Sequence, residues 1–462
     1  MRNSLLNRTL LLAGLCFFSL NSTVNAADEF ARQAPERLVE YLQIDTTNPS
    51  GNESRGVAFF AKYLTAAGIE FETGESAPGR GNIWAKLPGG NKPGIVLINH
   101  IDVVPVNENY WSVDPYKGVI KDGDIYGRGA LDMKGLAITQ FQAFLSLAAS
   151  GKKLNRDVWF IATADEEAGG EFGAGWLVKT HPEIFQNVGF LLNEGGIGSR
   201  AGDKIEFSVE VTQKVPLWLR LTATGRPGHG SSPQVHTSVT RLFKAGHRIT
   251  TTDFKARVIE PVEQMFAAIS GSQPAAFKEQ YADISTHIFD TEFMLALQTR
   301  SPQHHSLLRD TCSATRIEGS AKINVVPAEA MLELDCRLLP DQSLDLFEKE
   351  LAIIIADPNI RIERLMGFSP AISSTDTPLF EHIEKVTGQH YPGSKVIPSV
   401  SAGFTDSHFF RDLGIVSYGF APFMAELSDY HGIHGNDEKV SIENMIDGTT
   451  LFRDLLESFA VK

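Results

Sequence analysis

The sequence has few cysteines and no excess of positive charge, and both scarcities narrow what the protein can be. Only three of its 462 residues are cysteine, which excludes a disulfide-dense scaffold. Acidic residues outnumber basic ones by 56 to 42, so nucleic acid and anionic membrane are disfavoured as partners. The chain also lacks the G-x-S-x-G elbow of many serine hydrolases. Its composition, 42% hydrophobic and 21% charged, is typical of a globular protein of two or three domains.

Only the N-terminus carries a long hydrophobic run. Two arginines precede the apolar stretch 10–20, and small residues follow up to Ala26. This pattern predicts a secretory signal peptide over residues 1–26, hence a secreted or periplasmic protein with no transmembrane segment after cleavage. Lipoprotein attachment at Cys16 is a weaker alternative, because Leu15 precedes that cysteine. Cleavage would leave 40 basic and 56 acidic residues, a net charge of −16.

The two remaining cysteines, Cys312 and Cys336, flank a predicted hairpin with strands over 311–318 and 330–337. An oxidising compartment would let them form a disulfide. Two buried free thiols are an equally compatible interpretation of the sequence.

Alternating helical and extended patterns predict an α/β fold with a doubly wound mixed sheet. Helices are predicted over 30–44, 53–67 and 135–149, and strands over 82–87, 94–99, 157–163 and 188–193. After residue 213 the pattern changes to a strand, two helices and the hairpin. We therefore expect a first domain over 27–213, a smaller α+β domain inserted over 214–337, and a return to the first domain over 338–462, ending in a helix over 442–459.

Acidic residues follow the apolar run 158–161, which predicts a buried strand. They are Asp165, Glu166 and Glu167. Neighbouring side chains on an extended chain point in opposite directions, so one glutamate could bind a metal while the other acts as a base.

Four further segments place candidate ligands near strand ends or in loops. His100 follows a strand, and Asp102 two residues later could orient its ring. Asp132 precedes a helix, where a simple N-cap is the alternative interpretation. Glu194 ends another apolar run, and His434 precedes the last helix, with His431 as its rival. Such edges are where α/β folds build sites, and two histidines with three carboxylates could hold a pair of zinc ions.

The ordered motifs H-I-D-V-V-P, G-R-G-A-L-D-M-K-G, D-E-E, N-E-G-G and I-H-G-N-D-E resemble those of a known enzyme family. It is the co-catalytic zinc metallopeptidase family of aminoacylase, glutamate carboxypeptidase, acetylornithine deacetylase and succinyl-diaminopimelate desuccinylase. The resemblance implies Glu166 as general base and Asp102 as support for His100. It also implies two zinc sites: His100 and Glu194 for one ion, Glu167 and His434 for the other, and Asp132 as the bridge.

The resemblance further implies that the inserted domain is a lid used for dimerisation. His229 lies in a Gly/Pro/Ser-rich segment similar to one whose histidine reaches the partner's site and stabilises the oxyanion. A histidine in such a loop is otherwise simply exposed.

Three more residues match positions that contact substrate in the family: Asn324, Arg337 and Gly403. The arginine suits a two-pronged grip on a carboxylate, and a structural salt bridge is the alternative. His304 and His305 lie outside every motif, and we expect them at the surface.

The expected activity is that of an exported di-zinc hydrolase. A zinc-activated water would attack an amide carbonyl next to a free carboxylate after Glu166 takes its proton, as in a carboxypeptidase or dipeptidase. An N-acyl-amino-acid deacylase is the alternative, and a non-catalytic zinc-binding module is the alternative from another class. Cobalt or manganese could replace zinc. Glu194 stands where the desuccinylase and glutamate carboxypeptidase branches usually carry Asp, so the aminoacylase-like and dipeptidase-like branches are closer.

Overall fold

The structure is a computed structural model that describes residues 26–49, 51–201, 204–232, 234–425 and 432–462. The expected signal peptide therefore lies outside the described residues, except for Ala26. Within the described ranges no helix is both long and apolar enough to cross a membrane.

Seventeen strands are named here in chain order within the described residues. They are β1 (Phe71–Glu75), β2 (Gly81–Leu87), β3 (Lys92–His100), β4 (Val119–Lys121), β5 (Asp124–Tyr126), β6 (Arg156–Thr163), β7 (Val188–Ala201), β8 (Lys204–Gln213), β9 (Val215–Thr224), β10 (Gly228–His229), β11 (Thr311–Glu318), β12 (Val325–Val326), β13 (Glu329–Leu338), β14 (Ile360–Gly367), β15 (Lys395–Ser401), β16 (Val416–Met424) and β17 (Lys439–Ser441).

Fourteen helices are named in the same way. They are α1 (Ala26–Leu42), α2 (Ser54–Ala67), α3 (Lys134–Ala149), α4 (Ala174–Thr180), α5 (Ser238–Thr250), α6 (Glu260–Ile269), α7 (Lys278–Ala282), α8 (Ile284–His287), α9 (Thr291–Arg300), α10 (Pro302–Ser306), α11 (Leu344–Ile355), α12 (Pro378–His390), α13 (Ser407–Arg411) and α14 (Ile442–Ala460).

The larger domain is built on an eight-stranded mixed sheet, which confirms the predicted α/β class. Its strand order is β1-β2-β6-β3-β7-β16-β8-β15, and the central neighbours β6, β3, β7 and β16 run parallel. Alternate residues of β3 enter two different cores: Ile95 and Leu97 pack with α1, α2, α3 and α14, whereas Val96 and Ile98 pack with α4 and α13. Helices therefore cover both faces, and the carboxyl ends of the parallel strands meet at one edge.

The smaller domain has a four-stranded antiparallel sheet in the order β11-β13-β9-β14. Its core contains Phe347 and Leu351 of α11 as well as residues of α5 and the sheet. Strand β14 pairs with β9 through residues 360–367, so the segment after 337 continues this sheet. The smaller domain therefore does not end at residue 337 as expected, because β14 completes its sheet. Strand β14 is separated from its partner β9 by more than a hundred residues of chain, so their pairing is not visible in the local sequence pattern.

The hairpin of the smaller domain matches the sequence prediction closely. Cys312 on β11 lies directly opposite Cys336 on β13, with a Cα–Cα distance of 4.0 Å, and the two form a disulfide. The bond ties the outermost strand of the sheet to its neighbour.

Helices α6 to α10 pack around a separate apolar cluster that also includes Val400 of β15. His305 is buried in this region, and His304 is partly buried, with its Nδ1 2.8 Å from the Tyr281 hydroxyl. The expectation that both histidines lie at the surface is wrong, because the His304 ring packs against Phe266 and Tyr281 and His305 is buried.

Candidate metal centre and binding cavity

His100 is the last residue of β3, and its side chain is buried. Its Nδ1 lies 2.9 Å from the main-chain carbonyl of Asp102 and 3.5 Å from that residue's carboxylate. The ring is therefore oriented chiefly by the Asp102 carbonyl, whereas the sequence had suggested the carboxylate. Nε2 is left to face the other ligands.

The Asp102 carboxylate instead holds the turn after β6. It accepts hydrogen bonds from the main-chain N–H groups of Glu166 and Glu167, both at 3.1 Å, and from the Asn48 side chain at 2.7 Å. The turn itself is a short 3-10 helix that follows Asp165, whose φ is +72°. Burial raises the pKa of Asp102, but the hydrogen bond and charge of His100 outweigh it and hold that pKa below its usual range.

Asp132 lies between the two histidines. Its Oδ1 is 3.2 Å from His100 Nε2, and its Oδ2 is 3.1 Å from His434 Nε2. The peptide bond between Asp132 and Met133 is cis, and the N-cap of α3 is Met133, with no side-chain hydrogen bond. The alternative of Asp132 as a helix cap is therefore not what the structure shows.

Glu194 leaves β7 at an irregularity rather than at the end of the strand. Gly419 of β16 pairs with Asn193 and the next residue pairs with Gly196, so Glu194 and Gly195 are extra residues on β7. Gly195 has φ +138°, and a Cβ there would lie 2.8 Å from the Glu210 Cβ, so only glycine fits. The bulge puts Glu194 Oε1 3.6 Å from His100 Nε2.

Glu167 and Glu166 lie beside different histidines. Glu167 Oε2 is 3.1 Å from His434 Nε2, whereas Glu166 Oε2 is 4.0 Å from His100 Nε2. His431, the rival of His434, lies outside the described residues.

The buried acids have strongly shifted proton affinities. Burial raises the pKa of Glu166 well above its usual range, and the charge of Glu194 raises it further. Burial and the charge of Asp132 raise the pKa of Glu194 to about 7. A carboxylate with a raised pKa is a stronger base, which is what proton transfer near neutral pH requires.

The histidines and the ligand oxygens stabilise each other's charged forms. Hydrogen bonds with Asp132 and Glu167 raise the pKa of His434 to about 10. Burial raises the pKa of Asp132, but hydrogen bonds from His100 and His434 outweigh it and hold that pKa far below its usual range. Protons on the imidazoles and a metal cation therefore compete for the same oxygens.

The donor distances are close to those of tetrahedral zinc sites. Ligand atoms about 2.0–2.2 Å from one zinc ion lie roughly 3.3–3.6 Å from each other. Of the four histidine–carboxylate distances that involve Asp132, Glu167 and Glu194, one is 3.6 Å and the other three, at 3.1 to 3.2 Å, are slightly shorter than this range. Glu167 Oε1 is also buried without a hydrogen-bond partner, as expected of an oxygen that faces a cation. His100 belongs to two compact groups of potential ligands, with Asp132 and Glu167 and with Glu166 and Glu194.

A cavity of about 490 Å³ opens onto these ligands between the two domains. The larger domain contributes the ligands and the loop with Gly403, Phe404 and Thr405, and the smaller domain contributes Trp218 and Arg337. A Cβ on Gly403 would meet only the Ser401 hydroxyl at 3.6 Å, so the cavity stays open at this backbone.

Arg337 makes the structural salt bridge that the sequence left open as an alternative. Its Nε and one terminal nitrogen donate to Asp335 at 2.8 and 3.3 Å, and Asp335 also accepts from Trp218 Nε1 at 3.0 Å. The other terminal nitrogen is buried without a hydrogen-bond partner, and Arg337 is among the residues that line the cavity. Two of the three guanidinium nitrogens are thus bound to Asp335, so the expected two-pronged grip is not available in this arrangement.

His229 and Asn324 do not line the cavity of their own chain. Both are exposed: His229 is on β10 and Asn324 immediately precedes β12, and Gly230 N donates to the Asn324 carbonyl at 2.8 Å. The expectation that Asn324 contacts substrate within one chain therefore does not fit its position.

Two residues at the site were not identified from the sequence, although both lie within the quoted motifs. They are Arg128 and Glu438, which form a buried ion pair at 2.6 Å beside Asp132. Asp335 and Trp218 were also not identified from the sequence. Alternation along a strand shows that residues share a face of the sheet, but it does not show which cavity or residue that face contacts.

Comparison with known proteins covers nearly the whole chain. Residues 96–458 match the peptidase family M20/M25/M40. The chain is 27% identical over 431 residues to aminoacylase-1 of Homo sapiens, covering 91% of this chain and 94% of that protein. It is also 27% identical over 434 residues to N-fatty-acyl-amino acid synthase/hydrolase PM20D1 of Mus musculus, covering 88% and 84%. An M20 family metallo-carboxypeptidase from Sulfolobus solfataricus has the same fold, with a TM-score of 0.73, 20% identity and coverage of 92% and 99%.

Metal affinity should fall steeply as the pH is lowered. A metal needs His434 neutral and Glu194 ionised, but their pKa values are raised to about 10 and about 7. Between pH 8 and pH 6 the metal must displace a proton from His434, and increasingly from Glu194. We expect affinity to drop by at least about a hundredfold, roughly tenfold per pH unit for each proton displaced. Chelator competition at each pH measures this, and equal affinity at pH 6 and pH 8 would refute it.

Proposed function

The chain belongs to the peptidase family M20/M25/M40 and is a hydrolase that acts on amide bonds, and we propose that it releases amino acids from N-acyl amino acids with an apolar acyl group. Two zinc ions per subunit would serve the reaction. A peptidase acting on dipeptides or on the carboxyl end of peptides is the second candidate, which the metallo-carboxypeptidase fold favours. A non-catalytic zinc-binding module is not supported, since the relatives are hydrolases.

We choose an N-acyl amino acid over a peptide because the described part of the cavity lining has no acidic residue to pair with a free amine, apart from the site carboxylates. The only acidic residues of the cavity, among the described residues that line it, are the site carboxylates Asp132, Glu166, Glu167 and Glu194. A dipeptide brings a free ammonium group, and burying that charge without a partner is costly. An N-acyl group has no such charge, so this lining favours it.

The rest of the cavity suits an apolar group. Leu131, Leu136 and Ile433 lie beside the ligands, and Trp218 and Phe404 line the side formed by the smaller domain and the 401–405 loop. Removing an apolar chain from water on such a surface stabilises the complex by about 25 cal/mol per Å². The resemblance to a protein named for N-fatty-acyl amino acids supports the same assignment.

Arg337 is suited to hold the free carboxylate of the amino acid. Arg337 lines the cavity and has one buried nitrogen without a partner, while Asp335 fixes the orientation of the guanidinium through two hydrogen bonds. A charge-assisted hydrogen bond to a carboxylate would satisfy the remaining donor.

Each residue of the site then has a definite task. When bound, zinc supplies Lewis acidity and lowers the pKa of water toward neutrality. Glu166, with its raised pKa, accepts the proton of the attacking water and delivers it to the leaving nitrogen. Asp102 keeps Glu166 in place through the main-chain N–H of that turn.

We also propose that two subunits associate through the smaller domain. Strand β11 is an exposed edge, and Ile317, Ile323 and Val325 expose large apolar side chains on or near it. His229 pairs with Val325 in the two-stranded sheet of β10 and β12 and is not among the residues that line the cavity of its own chain. A partner subunit would place it where an oxyanion develops.

Export is the proposed localisation. It rests on the N-terminal sequence pattern, and the disulfide between Cys312 and Cys336 suits an oxidising compartment. Mass analysis of the exported chain should find an N-terminus near Ala27, and retention of the first 26 residues would refute cleavage there.

Replacing the proposed base should abolish turnover without loss of metal. We expect Glu166→Gln to lower kcat by about 10² to 10⁴-fold, because the amide cannot accept the proton of water. Glu183→Gln, at an exposed acid, is the control and should keep full activity. Full activity of the Glu166 variant with normal metal content would exclude this role.

The substrate class is tested with three substrates that share one C-terminal amino acid. They are an N-acyl amino acid, a dipeptide with a free amine, and the same dipeptide with its amine acetylated. We expect the dipeptide with the free amine to have a kcat/KM roughly tenfold to a hundredfold below that of its acetylated form, because its ammonium has no partner. Faster cleavage of the free dipeptide would favour the peptidase instead.

Dimerisation is tested by mixing two inactive variants. His229→Ala and Glu166→Gln each remove one component, and a mixed dimer regains one complete site if His229 acts on the partner subunit. We expect partial recovery of activity after subunit exchange. Recovery should be absent if His229 works within its own chain, and a monomer at micromolar concentration in light scattering would equally contradict the proposal.

A further inference from the structure

Glu438 is a buried carboxylate whose bonds converge on the loop that carries Asp132. It accepts hydrogen bonds from the main-chain N–H groups of Gly129 at 2.9 Å, Leu131 at 2.8 Å and Asp132 at 2.9 Å. Its side chain is fully buried. This loop therefore takes its shape from a residue that is distant in sequence.

Arg128 makes the complementary set of contacts with the loop that carries His434. It donates to Glu438 at 2.6 Å, to the Gly435 carbonyl at 2.5 Å and to the Gly432 carbonyl at 3.4 Å. The carbonyls on either side of His434 are thus held by an arginine from the Asp132 loop.

The pair is itself anchored by a small sheet. Strand β17 pairs with β5 in the register Lys439↔Tyr126, and Gly127 N donates to the Glu438 carbonyl at 2.9 Å. Glu438 immediately precedes Lys439, and Arg128 lies two residues after Tyr126. The Asp132 loop and the His434 loop are thus both adjacent to the paired strands β5 and β17. The ion pair connects the two loops between these strands and the metal ligands.

We propose that Arg128 and Glu438 are a positioning pair that sets the separation of Asp132 and His434, and so creates the metal position that these two residues share with Glu167. The inference rests on the proposed metal-dependent function. Glu438 faces the Asp132 loop and Arg128 faces the His434 loop, so each partner holds one ligand loop of the same ion.

The other metal position depends less on the pair. His100 lies at the end of β3 and Glu194 on the bulge of β7, and neither makes a described hydrogen bond to the pair. The two positions share Asp132, but only the first also uses the His434 loop, so loss of the pair should weaken the ion at Asp132, His434 and Glu167 more than the other. Partners that orient ligands in this way typically change metal affinity by about 10 to 100-fold when they are replaced.

The test uses Glu438→Gln in the full-length chain, with zinc measured by equilibrium dialysis and metal analysis. The amide keeps the size but loses the charge, and its NH₂ group would face N–H donors. We expect two zinc ions per subunit in the wild type, and in the variant one ion bound about 10 to 100-fold more weakly and the other weakened less. Two ions at wild-type affinity in Glu438→Gln would overturn the inference.

Asp310→Asn is the matched control for loss of a buried carboxylate. Asp310 also accepts from an arginine, Arg257 at 2.9 Å, and from a main-chain N–H, that of Leu339 at 2.7 Å, but it lies in the smaller domain away from the ligands. It should keep both ions, and loss of one ion in this control would show a general effect and overturn the inference.

A second variant decides the matter if Glu438→Gln does not fold by circular dichroism. Arg128→Lys keeps the charge but cannot reach both Glu438 and the Gly435 carbonyl. The same preferential weakening of one ion is expected, and unchanged binding of both ions would refute the pairing. A wild type that binds no zinc would instead refute the proposed function itself, which separates the two failures.

Discussion

The site depends on a concentration of negative charge away from water. Asp132, Glu166, Glu167 and Glu194 meet at one end of the parallel strands, and like charges about 4 Å apart repel by about 4 kcal/mol at an effective dielectric constant near 20. Such a cluster is stable only if cations share it. Protonated His100 supplies positive charge at its centre, and bound metal ions would replace that proton as the source of positive charge. Burial, and to a smaller extent the repulsion between carboxylates, gives Glu166 and Glu194 the raised proton affinity that hydrolysis needs.

Two further buried carboxylates show how the fold holds this cluster in place. Asp102 and Glu438 are directed at main-chain N–H groups rather than at the metal positions. Asp102 shapes the turn of Glu166 and Glu167, and Glu438 shapes the loop of Asp132. A charged acceptor shared by several N–H groups is among the stronger hydrogen-bonding arrangements in proteins. The positions of the metal ligands are therefore fixed through the backbone, because each of these two carboxylates holds the main chain of one ligand-bearing loop.

The local sequence pattern was sufficient to predict many of the strands and the polar residues at their ends. Apolar runs followed by acids predicted the strand ends near His100 and Glu167, because a buried strand must stop where its polar residues begin. Pairing between distant segments could not be predicted in the same way. Strand β14 joins the smaller sheet, and Glu194 lies on a bulge rather than at a strand end. Glu438 contacts Arg128, which lies 310 residues earlier in the chain. These three features depend on contacts between distant segments, which produce no periodic pattern of apolar residues in the sequence.

The order of the chain through the large sheet has a consequence for biosynthesis. Strands β15 and β16 and helix α14 belong to the larger domain but follow the smaller one in sequence. A chain emerging from the ribosome can complete the inserted sheet at β14, whereas the larger core must wait for these later elements. His434 arrives near the end of that process. Nascent or truncated chains would thus contain most of the acidic ligands but no complete centre, so hydrolytic capacity would be acquired only after synthesis is nearly finished.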